Sequence, residues 1–170
     1  MSRMSGIDDR VSRIQDAWRL ERPDLDVSPL GLIGRLHRLA DALTEELLPV
    51  YRGHGLGEGD FDVLATLRRS GPPFECPAGE LAASTMVTTG GLTKRVDRLE
   101  GAGLVSRRAS TDDGRGRLIA LTDAGRAVID SAFSDHVANE HRLIEGMPTE
   151  DRAVLERLLA EWLARVTPDG

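Results

Sequence analysis

The stretch CPAGELAASTMVTTGGLTKRVDRLEGAGLVSRRASTDDGRGRLIALT, residues 76–122, decides the fold. Cys76-Pro77-Ala78-Gly79-Glu80-Leu81-Ala82-Ala83 is a short helix signal, with Cys76 at the N-cap position. Ser84 to Gly103 is a second, longer one. On a wheel turning about 100° per residue, Leu92, Val96 and Leu99 cluster within about 60° and mark the core side of that second helix. Lys94 then lies roughly opposite, and Gly90, Asp97 and Arg98 also point outward. Val105-Ser106-Arg107-Arg108 and Arg117-Leu118-Ile119-Ala120-Leu121-Thr122 read as two strands joined by the loop from Ala109 to Gly116. The order is helix, turn, helix, β-hairpin, with arginines around the hairpin tip.

Charge sharpens this reading. The chain carries a formal net charge of −6, which argues against a uniformly basic coat. Between Lys94 and Arg126, however, Lys94, Arg95, Arg98, Arg107, Arg108, Arg115, Arg117 and Arg126 outnumber Asp97, Glu100, Asp112, Asp113 and Asp123. A basic middle inside an acidic chain matters more than the total. Together these features predict a mainly α protein with a small β-hairpin wing: a winged helix-turn-helix that places one helix in the major groove of double-stranded DNA and a loop beside it. Thr88, Thr89 and Thr93 supply short donors, acceptors and methyls for base edges. Lys94 and Arg98 suit phosphates. Arg115 and Arg117 suit a narrow minor groove, and Asp113 is placed to hold Arg115 by a charge-assisted bond. A solvated face is the alternative for surface arginines, but four on one hairpin argue against it. Gly90-Gly91 costs a helix about 1 kcal/mol each against Ala, offset by close backbone approach either to DNA or to a neighbouring helix.

Outward from this core, the chain is helical. Ile7, Val11, Ile14 and Trp18 form one stripe that Glu21-Arg22-Pro23 ends. Ser28 as N-cap and Pro29 at the first helical position start a second helix, with a stripe of Leu32, Leu36, Leu39, Leu43 and Leu47. Pro49 kinks or ends it, and Gly53 and Gly55 stop it. A third helix runs from Glu58 to Arg69 with Phe61, Leu64, Ala65 and Arg68 along one side. Thr122 caps a helix from Asp123 to about Gly146, whose apolar points are Val128, Phe133, Val137 and Ile144. Leu155, Leu159, Trp162 and Val166 make the last stripe. The expected domains are 1–53 and 123–170 for dimerisation, the first also closing over a ligand site, and 54–122 for DNA. The terminal stripes suit either a homodimer interface or the capping of their own domain.

With 170 residues, 40 % of them hydrophobic, the chain can bury a real core. Its single cysteine excludes an internal disulfide framework and fits a reducing cytoplasm. No apolar run reaches the ~18 residues of a membrane span, and no signal core opens the chain. No nucleophile–base motif, phosphate loop or metal-ligand cluster appears, so the reading is a regulator with no catalytic residues, metal or cofactor, not an enzyme.

These residues resemble the multiple-antibiotic-resistance regulator (MarR) family. The signature is Leu99-Glu100-x-x-Gly103-Leu104-Val105-x-Arg107-Arg108, then Asp113-x-Arg115-Gly116, then Leu121-Thr122-x-x-Gly125, and the likeness runs from Pro29 to Val166. The resemblance implies a homodimeric repressor that binds pseudo-palindromic operators and releases them when a small effector binds. Trp18-x-x-Glu21-Arg22-Pro23-Asp24-Leu25-Asp26, Phe61-Asp62-Val63-Leu64 and Arg95-Val96-Asp97-Arg98-Leu99 look like the urate-responsive branch, which implies a ligand set of Trp18, Asp62, Arg95 and Arg107. Independently, Arg95 lies about 65° from the apolar centre of its helix, at its border, where a guanidinium can face a crevice. Trp18 offers a flat ring and Asp62 an acceptor, suiting a planar anionic ligand with N–H groups. A core ring for Trp18 and a structural ion pair for Asp62 and Arg95 are the plainer alternatives. Other functional readings are a regulator answering a phenolic or carboxylate ligand, and a DNA-binding regulator without one.

Overall fold

The computed structural model describes residues 8–85, 89–109 and 117–167. Thr88, Asp113 and Arg115 therefore lie outside the described residues, as does the side chain of Thr89. The chain divides into two compact units, residues 1–49 and 50–170.

In the first unit, α1 spans Arg10–Glu21. Asp9 caps it, accepting the Ser12 N–H at 2.8 Å. Helix α2, Ser28–Gly53, begins here and runs on past the boundary with Pro49 inside it. Asp26 accepts both the N–H and the hydroxyl of Ser28, at 2.9 and 3.0 Å, so Asp26 serves the start of α2 in place of the expected Ser28 cap. The expected α1 stripe is also rotated. Val11 and Gln15 are the buried residues, whereas Ile14 and Trp18 are 45 % and 49 % exposed. The reason is a groove in α2 at Gly31 and Gly34: a Cβ on Gly31 would lie 2.8 Å from Gln15 Oε1, and one on Gly34 3.2 Å from Val11. Gln15 Nε2 then reaches the Val27 and Ser28 carbonyls at 3.1 and 3.3 Å. Of the α2 stripe, Leu32, Leu39 and Leu43 are exposed.

Arg35 Nε holds Asp9 at 2.8 Å and ties α2 to the start of α1. The Ser12 amide, with Arg35 next, lowers the Asp9 pKa to about 2. A depressed carboxylate pKa contributes stability above the unfolded value of about 4 and loses it as pH falls toward 2. Helical signal from the first unit is therefore expected to fall between about pH 4 and 2, and Asp9→Asn to flatten that fall. Residue-resolved NMR of Ser12 and Arg35 checks it.

In the second unit, α3 spans Glu58–Arg69, as expected, and is followed by β1, Glu75–Pro77. The short helix α4 is Ala78–Ser84 and α5 is Thr89–Gly101. α5 starts later than Ser84 because Thr85 has extended backbone. Strands β2, Val105–Ala109, and β3, Arg117–Leu121, form the hairpin. The sheet is antiparallel in the order β1-β3-β2, so the expected hairpin gains a third strand. Cys76 lies in β1 opposite Ile119, not at a helix N-cap. Leu64, Leu67, Leu81, Leu92, Val96, Leu99, Val105, Ile119 and Ile129 form the core.

The end of α5 and the start of α6, Asp123–Leu143, are lashed together. Gly103, with φ of 73°, takes the left-handed turn that ends α5. The Thr122 hydroxyl donates to the Gly103 carbonyl at 2.7 Å and accepts the Gly125 N–H at 3.0 Å. On α6 the buried residues are Gly125, Ile129 and Ala132, and the expected apolar point Phe133 is half exposed. Helix α7, Thr149–Val166, has no buried residue, so its apolar stripe is open in the single chain. No helix among the described residues is long and apolar enough to cross a membrane.

Candidate nucleic-acid interface and effector site

α5 presents the faces its periodicity predicts. Leu92, Val96 and Leu99 are buried, while Thr93, Lys94, Asp97 and Arg98 are exposed. Thr93 and Lys94 offer a hydroxyl and an ammonium to a groove. Arg117 is exposed at the start of β3.

Arg98 makes contacts within the chain. Its Nη2 pairs with Asp60 Oδ2 at 2.9 Å and donates to the Gly55 carbonyl at 3.0 Å. Asp60 is 2 % exposed, and the same oxygen accepts the Gly57 N–H at 2.7 Å. Asp60 and Gly59 make contacts with α5 that the sequence reading missed. The available signal was Gly57-Glu58-Gly59-Asp60: a helix opened by glycines with a carboxylate at its third position, the place from which an acid reaches back to the cap.

Arg95 is half-buried on the edge of α5 that faces α3. Its guanidinium lies where a side chain on Gly59 would be, with a Cβ there only 2.2 Å from Cζ. Its Nε is buried without a hydrogen-bond partner. Asp62, half-buried on α3, helps raise the Tyr51 hydroxyl to about 12, after burial, Glu58 and Glu140. Tyr51 itself stacks on Phe61, centroids 4.3 Å apart, and its hydroxyl meets His136 Nδ1 at 3.3 Å.

Arg107 has other neighbours. Its side chain pairs with Asp97 and Glu100, and its N–H donates to Glu100 at 3.1 Å. Burial opposes its charge, but the two carboxylates prevail and raise its pKa. Asp97 and Glu100 leave α5 on the side away from Arg95. The two arginines of the expected ligand set therefore face different sides of α5. Arg107 instead lines a cavity of about 310 Å³ between α5 and the sheet, with Thr93, Asp97, Arg117 and Ile119.

Cys76 is buried, and burial followed by Glu80 pushes its thiol pKa up, the reverse of what a reactive thiolate needs. No group of His, Cys, Asp and Glu among the described residues could hold a metal ion.

A MarR family model matches residues 54–116. Over 149 residues the chain is 39 % identical to the transcriptional regulator PecS of Dickeya dadantii, covering 88 % of this chain and 90 % of that one. The chain belongs to the MarR family of winged helix-turn-helix transcriptional regulators. MarR relatives extend the likeness in structure. A mutant of Escherichia coli MarR complexed with operator DNA is 26 % identical and matches with a TM-score of 0.70, covering 81 % of this chain and 95 % of that one. AbsC, a MarR family regulator from Streptomyces coelicolor, shares the fold with a TM-score of 0.74 at 24 % identity, covering 85 % and 99 %. As a MarR protein the chain is a DNA-binding transcriptional regulator and not an enzyme.

Proposed function

We propose that the chain is a homodimeric repressor released from a pseudo-palindromic operator by a small planar anion, urate or another purine, with Arg95 as the effector's anchor. The observation that carries this reading is the Arg95 guanidinium, half-buried on the edge of the recognition helix, with its Nε lacking an acceptor. A buried charged donor without an acceptor is unfavourable, and an anion supplies the missing bond. Trp18, Asp62 and Arg107 are the further residues that the likeness to the urate-responsive branch assigns to the effector. Arg107 must give up Asp97 and Glu100 to take part, which would loosen the wing from α5.

Because Arg95 rides on α5, a ligand that holds it favours one setting of that helix over another. It can shift DNA affinity only by its differential affinity for the two settings. A dimer reads half-sites about 34–36 Å apart, one DNA turn, so a small change in the spacing of two recognition helices is enough to lose the operator. Dimer formation is supported by the open apolar stripes of α2 and α7.

A thermal-shift titration with urate, xanthine, salicylate and citrate tests the reading. A ligand at a hundred times its Kd stabilises by about 2.7 kcal/mol, so urate or xanthine should raise Tm saturably and release bound DNA. Arg95→Ala should lose both effects. A response undiminished in Arg95→Ala would remove Arg95 as anchor, and a response to salicylate or citrate alone would replace the purine.

A further inference from the structure

The N-terminal end of α3 and one edge of α5 are joined by two arginine contacts a turn apart. The Arg95 guanidinium packs against Gly59, and three residues later Arg98 bridges Asp60 and the Gly55 carbonyl. The carboxylate between them is fully enclosed, since Asp60 is 2 % exposed and its Oδ2 also takes the Gly57 N–H. Arg98 is its only cationic partner among the described ion pairs. Swinging Arg98 out to a phosphate would leave a buried carboxylate without its counter-charge, which is strongly unfavourable. Lys94, one turn earlier and fully on the outer face, is exposed and suits a phosphate directly.

We propose that Asp60 and Arg98 are positioning residues for DNA recognition: they set the angle at which α5 stands on α3, and Arg98 acts on DNA through that angle instead of touching a phosphate. This replaces the phosphate contact that the outward position of Arg98 on the helix wheel suggests. One nitrogen, Nη2, makes both the ion pair with Asp60 Oδ2 and the bond to the Gly55 carbonyl, so an uncharged side chain at position 98 removes the counter-charge of a buried carboxylate. The proposal rests on α5 being the helix that enters the groove, and no effector enters its test.

The test uses the full-length protein and a duplex that the wild type selects from a random-sequence library, with a scrambled duplex as reference. Affinities are taken for active protein, with folding checked by circular dichroism at the assay temperature. Each neutralised phosphate contributes about 0.9 to the slope of log K against log salt concentration. Arg98→Gln and Asp60→Asn should each lower the ratio of selected to scrambled affinity by about tenfold, leaving the salt slope unchanged; a positional change of this kind is worth about one base contact. Their combination should be no worse than either alone, because both break one contact. Lys94→Gln should instead lower the slope by about 0.9 per protomer and weaken both duplexes alike. The proposal is overturned if Arg98→Gln binds as wild type or lowers the slope as Lys94→Gln does, or if Asp60→Asn binds as well or better. A loss of stability alone would reduce the active fraction but would leave the affinity ratio where it was.

Discussion

Gly125→Ala lowers Tm by roughly 10 °C, because overpacking that cannot relax costs about 3 kcal/mol and each kcal/mol is worth about 2–4 °C at this chain length. The site leaves no other outcome. A Cβ on Gly125 would lie 1.9 Å from the Leu104 carbonyl oxygen and 2.8 Å from its carbonyl carbon. Both are backbone atoms, so no rotamer change relieves the contact. Leu104 is also held from two other directions, its N–H by the Leu99 carbonyl and its carbonyl by the Thr122 N–H. The matched control is Gly79→Ala, also in a helix, where nothing lies within 4 Å of the added Cβ. There Ala should be neutral or stabilise by up to about 1 kcal/mol, through propensity alone. Differential scanning of both variants checks the pair. If Gly125→Ala is as stable as Gly79→Ala, the close approach of α6 to the end of α5 is wrong.

The second large effect is on assembly. Leu155 and Leu159 are four residues apart on one face of α7, and each is 40 % exposed in a helix with no buried residue. Surface changes of this kind alter the stability of a single chain by no more than about 0.5 kcal/mol. In a homodimer built on this face they would instead place carboxylates in an apolar seam. Leu155→Glu with Leu159→Glu is therefore expected to halve the mass seen by light scattering to that of one 18.5 kDa chain. Circular dichroism should keep its helical shape. Losing the second half-site removes the gain from bivalency, so operator affinity should fall by about 10²–10⁴. A wild type that is already monomeric, or a double variant that stays dimeric, would rule this interface out.

What the sequence made legible was local. The bounds of α3 and the Thr122 cap follow from residues a few positions apart. So does the buried face of α5. The three-residue strand β1 was hidden because it contains Pro77 and exists only by pairing with β3, more than forty positions on. The same pairing draws Cys76 away from a helix cap and into the core. For Arg98 a helix wheel shows only that it points away from its own apolar centre. Its ion-pair partner, Asp60, sits on another helix, and no pattern within α5 reports it. The leucine stripes of α2 and α7 were plain in the sequence, but periodicity marks an apolar face without saying what covers it.

β3 is flanked on both sides, by β1 and β2, and pairs with β2 as far as Ala109 and Arg117. With both of its edges taken, β3 has no row of free backbone donors and acceptors to offer another chain. The outer edges of the sheet are β1, three residues long and ending in a proline, and the five residues of β2, poor templates for strand-on-strand aggregation.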